Sequence, residues 1–235
     1  MSSAATRDAV LAQVADHLVT AHPATVVRVG VDGITAAGKT TFARELTAAV
    51  AARGRSAVYL STNDFHHPAA YRRRDPDPAL GYYRDAFDLA GFRRLVLDPL
   101  GPGGSRRYRT RAHDLITDTA IDEPPLLADP DAVVVVDGTF LQCQDLAAGW
   151  DEVVWLDTTF AAAIERAVTR DSGQFGGAEA TRAAYARRYH AACRLYLAEH
   201  APSQHATIVV DNDDPSAPTL QRIGGPAAST DELSS

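Results

Sequence analysis

A chain of 235 residues with 46% hydrophobic content can bury one sizeable core and points to one domain, at most two. Its formal net charge of −7 argues against nucleic acid as a partner, because a phosphate backbone demands concentrated positive charge. No run approaches the roughly 20 apolar residues of a membrane helix. The N-terminus lacks a basic segment followed by an apolar stretch, and Cys143 and Cys193 lie far apart and outside any metal-ligand spacing, so a reduced cytoplasmic protein without a membrane partner is expected.

In chain order, residues 6–20 place Val10, Leu11, Val14, Leu18 and Val19 on one side of an amphipathic helix. The apolar run 26–31 reads as a first strand and leads into Gly33-Ile34-Thr35-Ala36-Ala37-Gly38-Lys39-Thr40, a complete G-x-x-x-x-G-K-T phosphate loop. Phe42, Leu46 and Val50 then recur at helical spacing. Strand, glycine loop and helix in that order are what a phosphate site needs. Successive backbone N–H groups at Gly33, Ala36, Ala37, Gly38, Lys39, Thr40 and Thr41 can curl around phosphate oxygens, with the helix N-terminus aimed at the same anion. Lys39 would reach the β- and γ-phosphates and Thr40 a Mg²⁺ ion. The plainer alternative is a glycine-rich turn that merely joins a strand to a helix.

Further strands are expected at 56–61, at 132–137, whose unbroken valines suit the middle of a sheet, at 152–157 and at 206–211. Helical patterns separate most of them, so the sheet should be largely parallel. Residues 62–131 are too long for a plain loop and form a substrate-binding insertion with a capped helix over 88–97 and a small hairpin or lid over 106–117. Residues 217–235 are rich in Ser, Pro, Gly and Ala and are expected to be a mobile tail after a single domain spanning 1–216.

The ends of these strands carry the remaining candidates. Asp137 closes the valine strand ahead of Gly138, where a Mg²⁺-directed carboxylate belongs, although a strand-ending Asp-Gly turn reads the same way. Asp64, after the second strand, is the candidate base for an acceptor hydroxyl, with an Asx turn or helix cap as the alternative. His66 and His67 diverge as neighbours and lack a third ligand, so both are expected as loop histidines, with His66 against substrate. Arg166 and Arg170 sit one turn apart on a helix over 159–171. Arg170 adjoins a glycine-containing linker, 171–177, that would hinge a lid over 171–180 and let it clamp the transferring phosphoryl group. An ordinary solvated helix face is the alternative for either arginine.

Taken together, Val31-Asp32-Gly33 to Thr41, Leu60-Ser61-Thr62-Asn63-Asp64-Phe65, Asp85-Ala86-Phe87-Asp88, Val136-Asp137-Gly138 and Arg166 to Asp171 resemble the uridine kinase family of phosphate-loop kinases, related to pantothenate kinase and phosphoribulokinase. The resemblance covers about residues 26 to 215. It implies an α/β three-layer P-loop NTPase sandwich with a five-stranded parallel sheet in the order 2-3-1-4-5, ATP with Mg²⁺ as donor, and a hydroxyl of a small molecule, a nucleoside such as uridine, as acceptor. Asp137 carries the family's metal-directed acid. The family's base position falls on Asn63, whose amide cannot take a proton as a carboxylate can. Either Asp64 has taken over through a shifted loop, or Asn63 traps substrate, or the chain binds without efficient turnover. Tyr82, Tyr83, Arg84, Tyr108, Arg109, His113 and Asp114 fall in the insertion that would meet the acceptor, with packing of the insertion as the alternative, and Asn63, His66 and Arg166 join them as acceptor candidates. Pantothenate, a sugar or an antibiotic as acceptor, and a nucleotide-hydrolysing switch, are the other readings, and a homo-oligomer is left open.

Overall fold

The computed structural model describes residues 3–225. Strand β1 (Val27–Gly33) is buried at all seven positions. Because side chains alternate across a strand, both faces of β1 must be covered, as in a parallel sheet layered between helices. Its neighbours are β7 (Val133–Asp137), in register with Val29 opposite Val135, and β8 (Glu152–Asp157), with Val31 opposite Val154. Strand β2 (Ala57–Ser61) flanks β7 and β9 (Ile208–Asp211) flanks β8, all parallel.

The expected order 2-3-1-4-5 is therefore present, but the sheet has six strands. β10 (Thr219–Ile223) adds an antiparallel edge to β9, with a bulge between Leu220 and Arg222. This corrects the expectation of a mobile tail from residue 217; residues 226–235 lie outside the described residues. The strand is short, half exposed and flanked by Pro and Gly, so its composition imitates a tail. Arg222, within the strand, pins it to the segment before β9, with Nη2 donating to the carbonyls of Ser203 and Ala206, each at 2.6 Å.

Helix α1 (Ser3–Ala21) packs on α2 (Lys39–Ala51), burying Val14, Leu18, Phe42 and Leu46. The insertion begins with a single 3₁₀ turn, Thr62–Asp64, followed by α3 (Ala69–Arg72), α4 (Pro78–Asp85) and α5 (Leu89–Phe92). The expected capped helix is found: Asp88 Oδ1 accepts the Gly91 N–H at 2.8 Å, and the chain winds on through a wide turn, Arg93–Leu97, into α6 (Asp98–Leu100). Pro99 has no N–H to give the Leu95 carbonyl four residues back. Arg109 N supplies that bond at 3.1 Å and ties the helix to the strands beyond it. Those strands are two miniature ladders, β3 (Arg107–Tyr108) with β6 (Leu126–Leu127) and β4 (His113–Asp114) with β5 (Thr119–Ala120).

After α7 (Gln144–Ala147) and β8 come α8 (Phe160–Phe175), α9 (Ala178–Ala184), a wide turn over Tyr185–Tyr189, α10 (His190–His200) and α11 (Pro202–His205). The expected flexible linker over 171–177 is mostly absent. Helix α8 continues through Phe175, and only Gly176 (φ 83°) and Gly177 (φ 119°) break it, because glycine takes left-handed backbone without strain. Cys143 and Cys193 are free and buried.

A charged pair ties down the start of β1. Arg28, the second residue of the strand and 8% exposed, meets the part-buried Asp151 through Nε–Oδ2 at 2.9 Å and Nη2–Oδ1 at 2.8 Å. Asp151→Ala strands the guanidinium and is expected to cost about 3 kcal/mol in urea unfolding, whereas Arg28→Met with Asp151→Ala should recover most of that loss. Additive costs in this cycle would show that the pair is not coupled.

Candidate active site

The phosphate loop is a turn whose carbonyls are tied away from its mouth. Lys39 Nζ donates to the carbonyls of Gly33 at 3.0 Å and Ile34 at 2.8 Å. The Thr35 carbonyl accepts from His190 Nε2 at 3.3 Å, and the Ala37 carbonyl from Asn212 Nδ2 at 2.7 Å and Arg166 Nη1 at 3.1 Å. In a planar trans peptide the N–H points opposite to its C=O, so the tethered Thr35 and Ala37 carbonyls turn the Ala36 and Gly38 amides the other way, whereas the Gly33, Thr35 and Ala37 amides are taken up by Asp32 Oδ1, Cys193 Sγ and the Ile34 carbonyl. Two positions hold the bend in left-handed backbone, Ala36 (φ 71°) and Gly38 (φ 96°). At Ala36 the side chain costs about 1 kcal/mol. Gly38 is the N-cap of α2 and brings no capping side chain, so the first amides of that helix are left for an anion.

Asp32, the last side chain before the loop, is fully buried. Its Oδ1 accepts the Gly33 N–H at 2.8 Å, and its Oδ2 accepts Tyr196 Oη at 2.5 Å and Gln142 Nε2 at 3.2 Å. Burial pushes its carboxyl above the usual range, against these three donors and nearby Lys39. Burial pushes the Lys39 ammonium down, with Cys193, Asp32 and Asp137 opposing it. A phosphate at this point supplies the charge that Lys39 lacks.

At the neighbouring strand end, Asp137 is 2% exposed. Thr40 Oγ1 donates to its Oδ2 at 2.7 Å and Tyr59 Oη to its Oδ1 at 2.6 Å. Burial and the bond to Asp137 raise the Tyr59 phenol to about 12. A hydroxyl and a carboxylate converging beside a phosphate loop are hard oxygen donors. Mg²⁺ in phosphate sites takes one or two such protein ligands and completes its octahedron with phosphate and water, so the residues present fit that ion. Among the described residues, no group of three or more His, Cys, Asp and Glu has the arrangement of an all-protein metal site.

The cleft above the loop is a cavity of about 310 Å³. Ala36, Gly38, Lys39, Thr40 and Thr41 form its floor, with Asp137 and Asn63 at one side. The opposite wall is built by α8 and the turn after α9: Arg170, Asp171, Gln174 and Phe175 from the first, Tyr185 and Tyr189 from the second, joined by Tyr82 from α4. Rings of Tyr82 and Tyr189 meet edge to face at 4.9 Å, as do Phe175 and Tyr185 at 6.2 Å. Arg170 is clamped by Asp171, Nε to Oδ1 at 2.7 Å and Nη2 to Oδ2 at 2.9 Å, and also donates to Tyr185 Oη at 3.0 Å.

Several residues expected at the acceptor stand elsewhere. Arg166 donates to the Ala37 carbonyl and to the carbonyls of Asn212 and Asp213 (2.7 Å to the latter); it buttresses the back of the loop. Tyr83 turns its Oη to Glu199 Oε2 at 2.8 Å, whereas its neighbour Tyr82 faces the cleft, because consecutive helical residues point about 100° apart. His113 is buried against Asp118, 3.0 Å from Nε2 to Oδ1, and Tyr108 is 4% exposed in β3. His66 donates through Nδ1 to the Asn63 carbonyl at 2.7 Å and packs on Phe87. Asn63 lines the cleft and Asp64 does not. Asp64 is solvent-exposed at the end of its turn, and partial desolvation raises its carboxyl. Gly33 and Ala37 contribute through their carbonyls, beneath the floor.

The sequence reading passed over Tyr185 and Tyr189, gave Asp32 and Asp171 no role of their own, and placed Tyr82 in the acceptor insertion together with Tyr83. Asp32 had a signal, a carboxylate inside an apolar strand immediately before the loop. Tyr185 and Tyr189 had none, since only the packing of α4 against the turn after α9 brings them to Tyr82.

No protein-family model matches the sequence, and no curated protein matches it. Solved structures do. A possible uridine kinase from Bacillus stearothermophilus superposes with a TM-score of 0.67 at 21% identity, over 85% of this chain and 96% of that one. A candidate fructose transport system kinase from Silicibacter sp. TM1040 gives 0.64 at 24%, over 81% and 95%. D-glycerate 3-kinase from Cryptococcus neoformans var. grubii gives 0.53 at 14%, over 79% and 87%. At such identities the likeness is one of fold, and the fold is that of the P-loop kinases. Uridine kinase-like proteins are among those it resembles.

Burial holds His66 well below an ordinary histidine, at about 4. A folded-state pKa below the unfolded value means that the unfolded chain binds the proton first. His66 therefore contributes stability that is complete above about pH 6.5 and is lost as pH falls toward about 4. His66→Gln should flatten the stability profile in that window by on the order of 2 kcal/mol, read from urea unfolding at stepped pH; an unchanged slope would contradict the assignment.

Proposed function

We propose that this chain is an ATP- and Mg²⁺-dependent kinase that transfers the γ-phosphoryl group to a hydroxyl of a small molecule, a nucleoside such as uridine before other alcohols. The observation that carries the reading is one continuous cleft with an anion-binding loop and Lys39 on its floor, and Arg170 with four aromatic rings facing it. Such a wall suits a planar, hydrogen-bonding base better than a compact polyol. The reading sets the protein in the cytoplasm with ATP and its acceptor as partners. Among the described residues no helix is long and apolar enough to cross a membrane.

In this reading the loop amides and the α2 N-terminus hold the β- and γ-phosphates, and Lys39 exchanges its two carbonyl partners for phosphate oxygens. Thr40 and Asp137 would hold Mg²⁺, which supplies charge neutralisation across the β- and γ-phosphates. Arg170 lies on the opposite wall, where a cation stabilises charge that grows on the transferring group. Asn63 orients the acceptor hydroxyl through its amide.

Release of ADP from ATP in the presence of nucleosides, pantothenate, sugars or glycerate tests the reading directly. Acceptor-dependent release, largest with a nucleoside, is expected; acceptor-independent release would replace it with a nucleotide-hydrolysing switch, and dominance of a sugar or glycerate would move the acceptor class toward those of the other named neighbours. Lys39→Met is expected to lower kcat about 10²-fold or more, and Asp137→Asn to raise the Mg²⁺ concentration needed for half-maximal turnover while ATP still protects against thermal unfolding. An unchanged Mg²⁺ requirement would remove Asp137 from the metal site.

A further inference from the structure

A kinase of this design must place the proton of the acceptor hydroxyl somewhere. Asn63 lines the cleft, and an amide is a poor proton acceptor. Asp64, the adjacent carboxylate, is not part of the cleft wall. Among the described residues lining the cleft, the carboxylates are Asp137 and Asp171. Asp137, which accepts from Thr40 and Tyr59, is the carboxylate that the kinase reading assigns to Mg²⁺, and an ion bound there would claim its charge.

On the strength of the kinase reading above, we propose that Asp171 is the catalytic base for the acceptor, taking the place that Asn63 leaves empty in a cleft that Asp64 does not line. Asp171 is carried on the last turns of α8, on the wall that faces the loop, and its side chain is 14% exposed. Two neighbours fix it. Arg170, on the same helix, grips both oxygens, and Tyr185, from the turn after α9, donates to Oδ2 at 2.6 Å. Lys39 and Asp137 line the same cavity as Asp171.

The proton balance closes on these groups. The acceptor oxygen forms a bond to the γ-phosphorus while the bond from that phosphorus to the β–γ bridging oxygen breaks, its electron pair leaving with ADP. The hydroxyl proton passes to a carboxylate oxygen of Asp171 and then to solvent. The Arg170 contact, reinforced by Tyr185, holds the Asp171 carboxyl below the usual range, so it is ionised at neutral pH. A weak base suffices here. In a loose phosphoryl-transfer transition state the acceptor keeps its proton until bonding to phosphorus has advanced, by which stage the oxygen is strongly acidic. The same contact couples proton acceptance to charge stabilisation, because Arg170 is freed toward the phosphoryl oxygens as Asp171 takes up the proton.

The test compares Asp171→Asn, Asp171→Glu and Asp64→Asn with the wild type, using ATP and whichever acceptor gives release in the screen. Thermal shift by ATP confirms that each variant is folded and binds donor. Asp171→Asn is expected to lower kcat by about 10²- to 10⁴-fold with the KM for ATP within about threefold. Its residual rate should rise about tenfold per pH unit from pH 7 to 9, as hydroxide takes over, against a flat wild-type profile. A side chain that only props the helix would lower the rate without creating that slope. Asp171→Glu, which keeps a carboxylate and its pairing with Arg170, should regain most of the loss and the flat profile. The proposal is overturned if Asp171→Asn keeps kcat within threefold, if its profile stays flat, or if Asp64→Asn costs more than Asp171→Asn. Acceptor-independent release in the wild type overturns the kinase reading itself and Asp171 as base with it, a failure distinct from an active kinase indifferent to Asp171.

Discussion

The site depends on one constraint, that the carbonyls of the turn between β1 and α2 be tied down so that the Ala36 and Gly38 amides, opposite the Thr35 and Ala37 carbonyls, are turned away from those ties. Peptide planarity makes the two requirements the same requirement. The carbonyls are claimed one by one, by Lys39 from within, by His190 from α10, and by Asn212 and Arg166 from beyond β9 and from α8. The loop is thus held by elements that converge on it from the far end of the chain. Asp32 anchors its first amide from below, and Tyr196 ties Asp32 to α10.

This arrangement leaves Lys39 as a buried cation with carbonyl partners and a carboxylate near but not bonded to it. Burial without a bonded counter-charge lowers its proton affinity and strengthens its attraction for an incoming phosphate. Preorganisation of this kind costs stability in the empty protein, visible as left-handed backbone at Ala36, and returns it when the anion is bound. The opposite wall follows the same logic. Arg170 is held by Asp171 and Tyr185 until a charged group arrives to compete for it.

The helices that tie the loop down are also those that carry the aromatic side of the cleft. Helix α10 reaches the loop through His190, Cys193 and Tyr196, and the turn before it presents Tyr185 and Tyr189 to the cleft. The aromatic wall and the phosphate-loop floor thus share one packed helical segment. Gly176 and Gly177 form a break between α8 and α9 that lets the wall fold back on itself.

The sequence by itself determined the floor of the site. Strand, glycine loop, lysine and helix are contiguous, and their chemistry is local, so Gly33 to Thr41 and the valine strand ending at Asp137 were legible from residue types and spacing, as was the strand order through the resemblance. Tertiary structure decided everything that local pattern cannot encode. It turned Tyr82 rather than Tyr83 to the cleft through the helical phase of α4. It spent Arg166 on the back of the loop, buried His113 beside Asp118, and placed Asn63 rather than Asp64 on the wall. It also made an edge strand of Thr219–Ile223, which a composition rich in Pro and Gly around it disguises. The physical reason is the same in each case: a phosphate loop is specified by backbone geometry along one short segment, whereas an acceptor site is specified by which side chains of distant helices happen to face each other once those helices are packed.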